Sequence, residues 1–187
     1  MTDRDQVTAL LDSRGAGTIE HPGGTLLEHL VRVANLLETW EALPDLVIAG
    51  LAHAAYGTDG FDVAPFRLDE RSVVEAAIGR RSEQIVYRYA SCDRSKTLGQ
   101  IGRSDVVVLH DRFTQERQPL DAVALHEFAE LSLANELDIA RHSETFRRQH
   151  GPALASLFAR WRKVVSASAY EAFHDTFDEF LPGHAAT

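Results

Sequence analysis

Cysteine is almost missing from this 187-residue chain: Cys92 stands alone, which excludes an internal disulfide and any zinc site built on paired thiolates. The run Ser91-Cys92-Asp93 offers that thiol no activating neighbour, so a cysteine without a chemical role is expected. Basic residues are outnumbered, 19 against 28 acidic ones, for a formal net charge of −9, and no dense Lys/Arg block occurs. Such a chain lacks the electrostatic footprint that nucleic acid or an anionic membrane selects. No apolar run approaches membrane-spanning length, and the first residues, Met1-Thr2-Asp3-Arg4, are polar where a secretory signal would be apolar, so the expectation is a cytoplasmic protein. A phosphate-cradling glycine-rich loop and a nucleophile elbow are both absent.

What the chain does have is helical periodicity. With 44% hydrophobic residues it can bury one sizeable core, and a single domain over 1–187 is expected. A short helix over 3–13 is stopped by Gly15 and Gly17. The next opens at a capping box, Thr25 with Glu28, and carries Leu26, Leu30, Val33, Leu37 and Trp40 on one stripe, with His29 at its margin. Pro44 begins a helix over 44–55 that Gly57 and Asp59-Gly60 end. Helices follow at 69–79, 81–91 and 121–141. Around 105–120 the β-branched run Val106-Val107-Val108 reads as a strand or small hairpin inserted among helices, or as a buried helical turn. After Gly151-Pro152, two aromatic-rich helices make a C-terminal hairpin over 152–181, which covers the core or forms a homodimer contact.

Histidine 53 is the most informative residue. It ends the run Leu46-Val47-Ile48-Ala49-Gly50-Leu51-Ala52, apolar on every side, so its imidazole must be hydrogen-bonded or metal-bound to offset desolvation. His29 points inward from the preceding helix and His21 lies eight residues before it. Together they predict a three-histidine pocket between neighbouring helices, the kind of arrangement that holds metal ions in helical bundles. Zinc, iron or manganese would suit imidazole donors, and no soft sulfur competes. Against this stands a core histidine bonded to a backbone carbonyl. His110-Asp111, the one literal His-Asp pair, follows the valine-rich segment and reads as part of a solvated turn; His126, His142, His150, His174 and His184 read as surface imidazoles.

His29, the block Ala49-Gly50-Leu51-Ala52-His53, and Leu133-Ala134-Asn135-Glu136-Leu137 resemble the HD-domain superfamily of all-helical, metal-dependent phosphohydrolases, in which a His, a His-Asp dyad and a distant Asp hold the metal. The block His21-Pro22-Gly23-Gly24-Thr25, with Tyr56-Gly57-Thr58 later, is more narrowly similar to an HD-like family of unknown function. The resemblance covers about 21–140 and implies an all-α, HD-domain-like bundle. It also exposes two departures: Ala54 stands where the dyad has Asp, and Asn135 where the distant Asp is expected. An ion held by two imidazoles and an amide keeps its charge uncompensated.

Three repairs are open. His21 would serve as a third nitrogen ligand, Asp138 would restore a carboxylate one turn beyond Asn135, or Glu83, Glu127 or Asp59 would reach in as catalytic carboxylates. Tyr56 and Tyr87 are expected to line the pocket. The leading expectation is a metal-dependent enzyme of HD-like fold acting on a small molecule, with His21, His29, His53 and Asn135 around the metal, activating water for hydrolysis or binding oxygen if the ion is iron. The alternative is a metal-free, degenerate HD domain that binds a ligand or works as an acid–base isomerase or dehydratase with the same histidines.

Overall fold

The computed structural model describes residues 4–182. It is mostly helical with two small antiparallel strand pairs. In chain order the elements are α1 (Arg4–Ser13), β1 (Glu20–His21), β2 (Gly24–Thr25), α2 (Leu26–Thr39), α3 (Pro44–Ala52), α4 (Arg71–Ile78), α5 (Arg80–Ser91), α6 (Arg94–Thr97), β3 (Val108–His110), β4 (Arg117–Pro119), α7 (Ala122–His142), α8 (Glu144–Phe158) and α9 (Ala167–Phe177). The hairpin around 105–120 is therefore present as β3 and β4, with Leu109 opposite Gln118. A second, smaller hairpin, β1 with β2, pairs His21 with Gly24. Two-residue strands carry no alternating pattern, which is why periodicity gave no sign of it.

Helix α2 starts where the capping box puts it. The Thr25 side chain accepts from the Glu28 backbone N–H while Glu28 Oε2 accepts from the Thr25 N–H at 2.7 Å. Its buried stripe, Leu26, Leu30, Val33 and Leu37, packs against α3, every residue of which from Leu46 to Ala52 is buried. Helix α7 is the second pillar of the core and touches α2, α5, α8 and α9. No helix among the described residues is long and apolar enough to cross a membrane.

The C-terminal region departs from the expected 152–181 hairpin. Helix α8 begins at Glu144, capped by Ser143, and runs through Pro152 to Phe158. Gly151-Pro152 reads locally as a helix start, yet Gly151 is buried against the Phe180 ring, and that packing outweighs the hydrogen bond the proline cannot donate. Phe158, Trp161, Phe173 and Phe177 are all buried within the chain itself, so these aromatic faces cover the core.

Gly50 sets how closely α2 and α3 approach. A Cβ there would lie 2.5 Å from Leu37 Cδ1 and 3.5 Å from the Ala34 backbone. Gly50→Ala should destabilise the fold by about 1–3 kcal/mol, as overpacking does. Urea unfolding reads this directly, and an unchanged midpoint would show that the interface can relax.

Candidate functional site

His21, His29 and His53 meet. The His21 and His29 rings stack with centroids 4.0 Å apart and planes 26° apart, and His29 meets His53 edge to face at 5.2 Å. His53 in turn rests edge-on against Tyr89 of α5. All three line a cavity of about 430 Å³. The loop after α3 adds Thr58, Asp59 and Phe61, α6 adds Arg94, and α7 adds Ser132, Asn135 and Glu136. Helix α8 closes the other side with Phe146, His150, Leu154 and Leu157.

The hydrogen-bond partners fix what each imidazole offers. His53 Nδ1 lies 2.8 Å from the Gly50 carbonyl, which can only accept, so Nδ1 carries the hydrogen. Burial, and then the neighbouring His29, push the His53 pKa down to about 3, so the ring is neutral and its Nε2 holds a lone pair. No partner for that lone pair exists among the described residues. His29 is the opposite case. Its Nδ1 faces Asp138 Oδ2 at 2.7 Å and its Nε2 faces Asn135 Oδ1 at 3.1 Å. The Asn135 amide is oriented by Glu136, whose Oε1 takes Nδ2 at 3.2 Å, so both His29 nitrogens face acceptor oxygens.

Asp138 does not line the cavity; it stands behind His29 and holds it. Burial alone would raise its pKa, but hydrogen bonds from His29 and Arg32 outweigh burial and keep it below the usual carboxylate range. Arg32 donates from Nε at 2.8 Å and from Nη2 at 2.9 Å, and the same guanidinium reaches the Pro22 and Gly23 carbonyls. Gly23, at φ +82°, passes so close to His142 that an added Cβ would sit 2.6 Å from its ring stem. The turn that carries His21 is thereby strapped to α2 and α7. Burial lowers the His21 pKa to about 4, helped by His29, and its buried Nδ1 has no partner among the described residues.

The other nominated side chains go elsewhere. Glu83 is buried but spent on Arg71, at 2.7 and 2.9 Å, and on the Tyr56 hydroxyl. Glu127 pairs with Arg81 and Arg88. Tyr87 bonds Asp111 and borders a separate cleft with Arg71 and Arg88. These are corrections to the expected site: Tyr56 and Tyr87 do not line the histidine cavity, and Glu83 and Glu127 supply it no carboxylate. Asp59 does reach its rim, where Oδ2 accepts the Arg94 backbone N–H at 2.8 Å. Cys92 is buried, and burial pushes its thiol up to about 11, which leaves it inert.

Sequence patterns did not single out Arg94, Glu136, Ser132 or Thr58 for the cavity, and His150, expected only as a surface imidazole, lines it from α8. Arg94 donates to Glu136 at 2.7 Å and to the Tyr89 hydroxyl at 2.5 Å. Glu136, adjacent to Asn135 in an apolar stretch of α7, was the available signal. The α8 wall was hidden because Pro152 split its repeat of Phe146, His150, Leu154 and Leu157.

As arranged, these donors do not fit a divalent ion. Near-parallel rings direct their in-plane lone pairs side by side rather than to one point, which separates His21 from His29 as co-ligands. Ala54 and Asn135 bring no charge, and Asp138, Glu83 and Glu127 are bound to arginines. Among the described residues, no three His, Cys, Asp or Glu side chains are placed to hold a metal.

Residues 10–94 match a family described as a domain of unknown function (DUF6817). The match spans less than half of the chain; it takes in His21, His29, His53 and Arg94 and stops before Asn135 and Asp138. No curated protein and no solved structure matches.

The neutral His53 makes stability depend on pH. Unfolded, the ring takes a proton near its ordinary 6.5, whereas folded it does so only near 3, so between these values the unfolded state binds more protons and stability falls as pH falls. His21 acts in the same direction. Between about pH 6.5 and 5 the His53 contribution approaches about 1.4 kcal/mol per pH unit. Denaturant unfolding should show His53→Leu flattening that slope; a slope equal to the wild type would mean that His53 is protonated in the fold.

Proposed function

We propose that this chain is a small-molecule-binding domain of HD-like helical build whose histidine cluster meets its ligand without a metal ion. The carrying observation is the bond from His53 Nδ1 to the Gly50 carbonyl, which leaves one unsatisfied acceptor, Nε2, at the inner end of a largely apolar cavity. Cavities of this size with an apolar lining and a few converging polar groups are typical of ligand sites. Support for the HD-like build comes from His29, His53 and Asn135: these three positions, at which the superfamily carries metal ligands, adjoin the same cavity from α2, the end of α3 and α7.

A second reading, acid–base catalysis such as isomerisation, is favoured by the contact between a donor-type His29 and an acceptor-type His53, 5.2 Å apart between centroids. An imidazole placed to donate and one placed to accept can remove a proton from one atom of a substrate and return one to another. His53 would take the proton at Nε2, and His29, kept in orientation by Asp138, would supply one.

Both readings part from the metal-dependent one in a single assay. Protein purified without an affinity tag should carry less than about a tenth of an equivalent of Zn, Mn or Fe, and its Tm should not move on adding EDTA or those ions. Stoichiometric metal, or a Tm lowered by several degrees in EDTA, would overturn the metal-free reading in favour of an HD-type metalloenzyme.

A further inference from the structure

From the neutralisation of Arg94 by Glu136 and the open acceptor of His53 among the cavity's described residues, we infer that its ligand is an uncharged amphiphile: an apolar body with a hydroxyl or amide N–H head donated to His53 Nε2. The inference rests on the reading of the cavity as a ligand site and adds the ligand's class.

The charges come first. Among the described residues Arg94 is the one Arg or Lys lining the cavity, and it is neutralised by Glu136 at 2.7 Å, with Tyr89 taking a second guanidinium donor. Behind His29, the charge of Asp138 is met by Arg32. Asp59 sits half-buried at the rim with Oδ2 already bonded to backbone. A carboxylate head would meet Glu136 and Asp59 with no spare cation. An ammonium head at the inner end would leave water for a wall that already strips the proton from His21 and His53. A neutral head avoids both costs.

The donor requirement follows from the tautomer. With Nδ1–H fixed on Gly50, Nε2 can only accept, so an ether or ester oxygen would gain nothing there while a hydroxyl or N–H gains a hydrogen bond. The body is set by the apolar lining: Leu26, Ile139, Phe146, Leu154, Leu157 and Phe158 offer carbon surface, with His150 the polar side chain that α8 adds among them. Burial of the ligand's hydrocarbon against them supplies most of the affinity, and His53 supplies selection among head groups.

The test uses three probes of one size: phenylethanol, phenylacetate and phenylethylamine, titrated at neutral pH into the full chain, with the imidazole nitrogen resonances of His53 followed by NMR. Phenylethanol should bind at least about tenfold more tightly than either charged probe, a difference of about 1.4 kcal/mol. It should also shift the Nε2 resonance toward that of a hydrogen-bonded acceptor. In a His53→Leu variant with a wild-type-like melt, phenylethanol affinity should fall about three- to tenfold. Because the first two readouts need only the wild type, a variant that fails to fold does not decide the outcome. Equal or tighter binding of phenylacetate or phenylethylamine would overturn the uncharged class while keeping the cavity as a ligand site. No binding by any of the three, up to their solubility, would overturn both this inference and the binding function beneath it.

Discussion

One carboxylate organises this molecule's centre. Asp138, buried on α7, accepts from His29 and from two nitrogens of Arg32, while Oδ1 lies 3.2 Å from His142 Nδ1. A charge that deep is tolerated only because its partners replace water, and removing Arg32, the permanent cation among them, would leave it with imidazole partners alone. The geometry it imposes spreads outward. Arg32 carries the strap on to the Pro22-Gly23 turn, the turn places His21, and His21 stacks on the ring that Asp138 orients. The two helices that carry this network, α2 and α7, are therefore joined by polar bonds as well as by apolar packing.

Set against that network, His53 is hydrogen-bonded only within its own helix. Its sole hydrogen bond closes back on Gly50 one turn earlier, and its neutrality follows from dryness and from the nearby donor ring. The site thus holds one imidazole, His29, tied to the Asp138 carboxylate, and two, His21 and His53, each with a nitrogen left open among the described residues. That contrast gives the cavity direction: donors are satisfied behind His29, an acceptor is free at His53, and carbon surface from α8 completes the enclosure.

Much of this was legible in the residues. An apolar run that ends in histidine, as Leu46 to His53 does, has to resolve its imidazole inside; the three imidazoles meet, while the bond His53 makes to a carbonyl is the alternative to a metal-bound ring. The capping box at Thr25 placed α2, and the valine-rich segment placed β3. Less was legible where periodicity gives a buried face without naming its neighbour. Glu83 and Tyr87 on α5 point away from the cavity, toward Arg71 and Asp111, whereas Tyr89, two residues on, touches His53. Pro152 concealed α8 because a proline in mid-helix looks like a beginning when the packing of Gly151 on Phe180 is unknown. The Arg94–Glu136 pair joins residues 42 apart in sequence, which local patterns do not relate.

The protonation of His53 is the point on which the account turns, and nitrogen NMR of the imidazoles reads it without any ligand or variant. From neutral pH down to about pH 5, a ring whose pKa lies well below the ordinary 6.5 should keep the signature of the neutral Nδ1–H tautomer, with Nε2 unprotonated throughout. A His53 signal that titrates near 6.5, or one that reports hydrogen on Nε2 in place of Nδ1, would contradict the account.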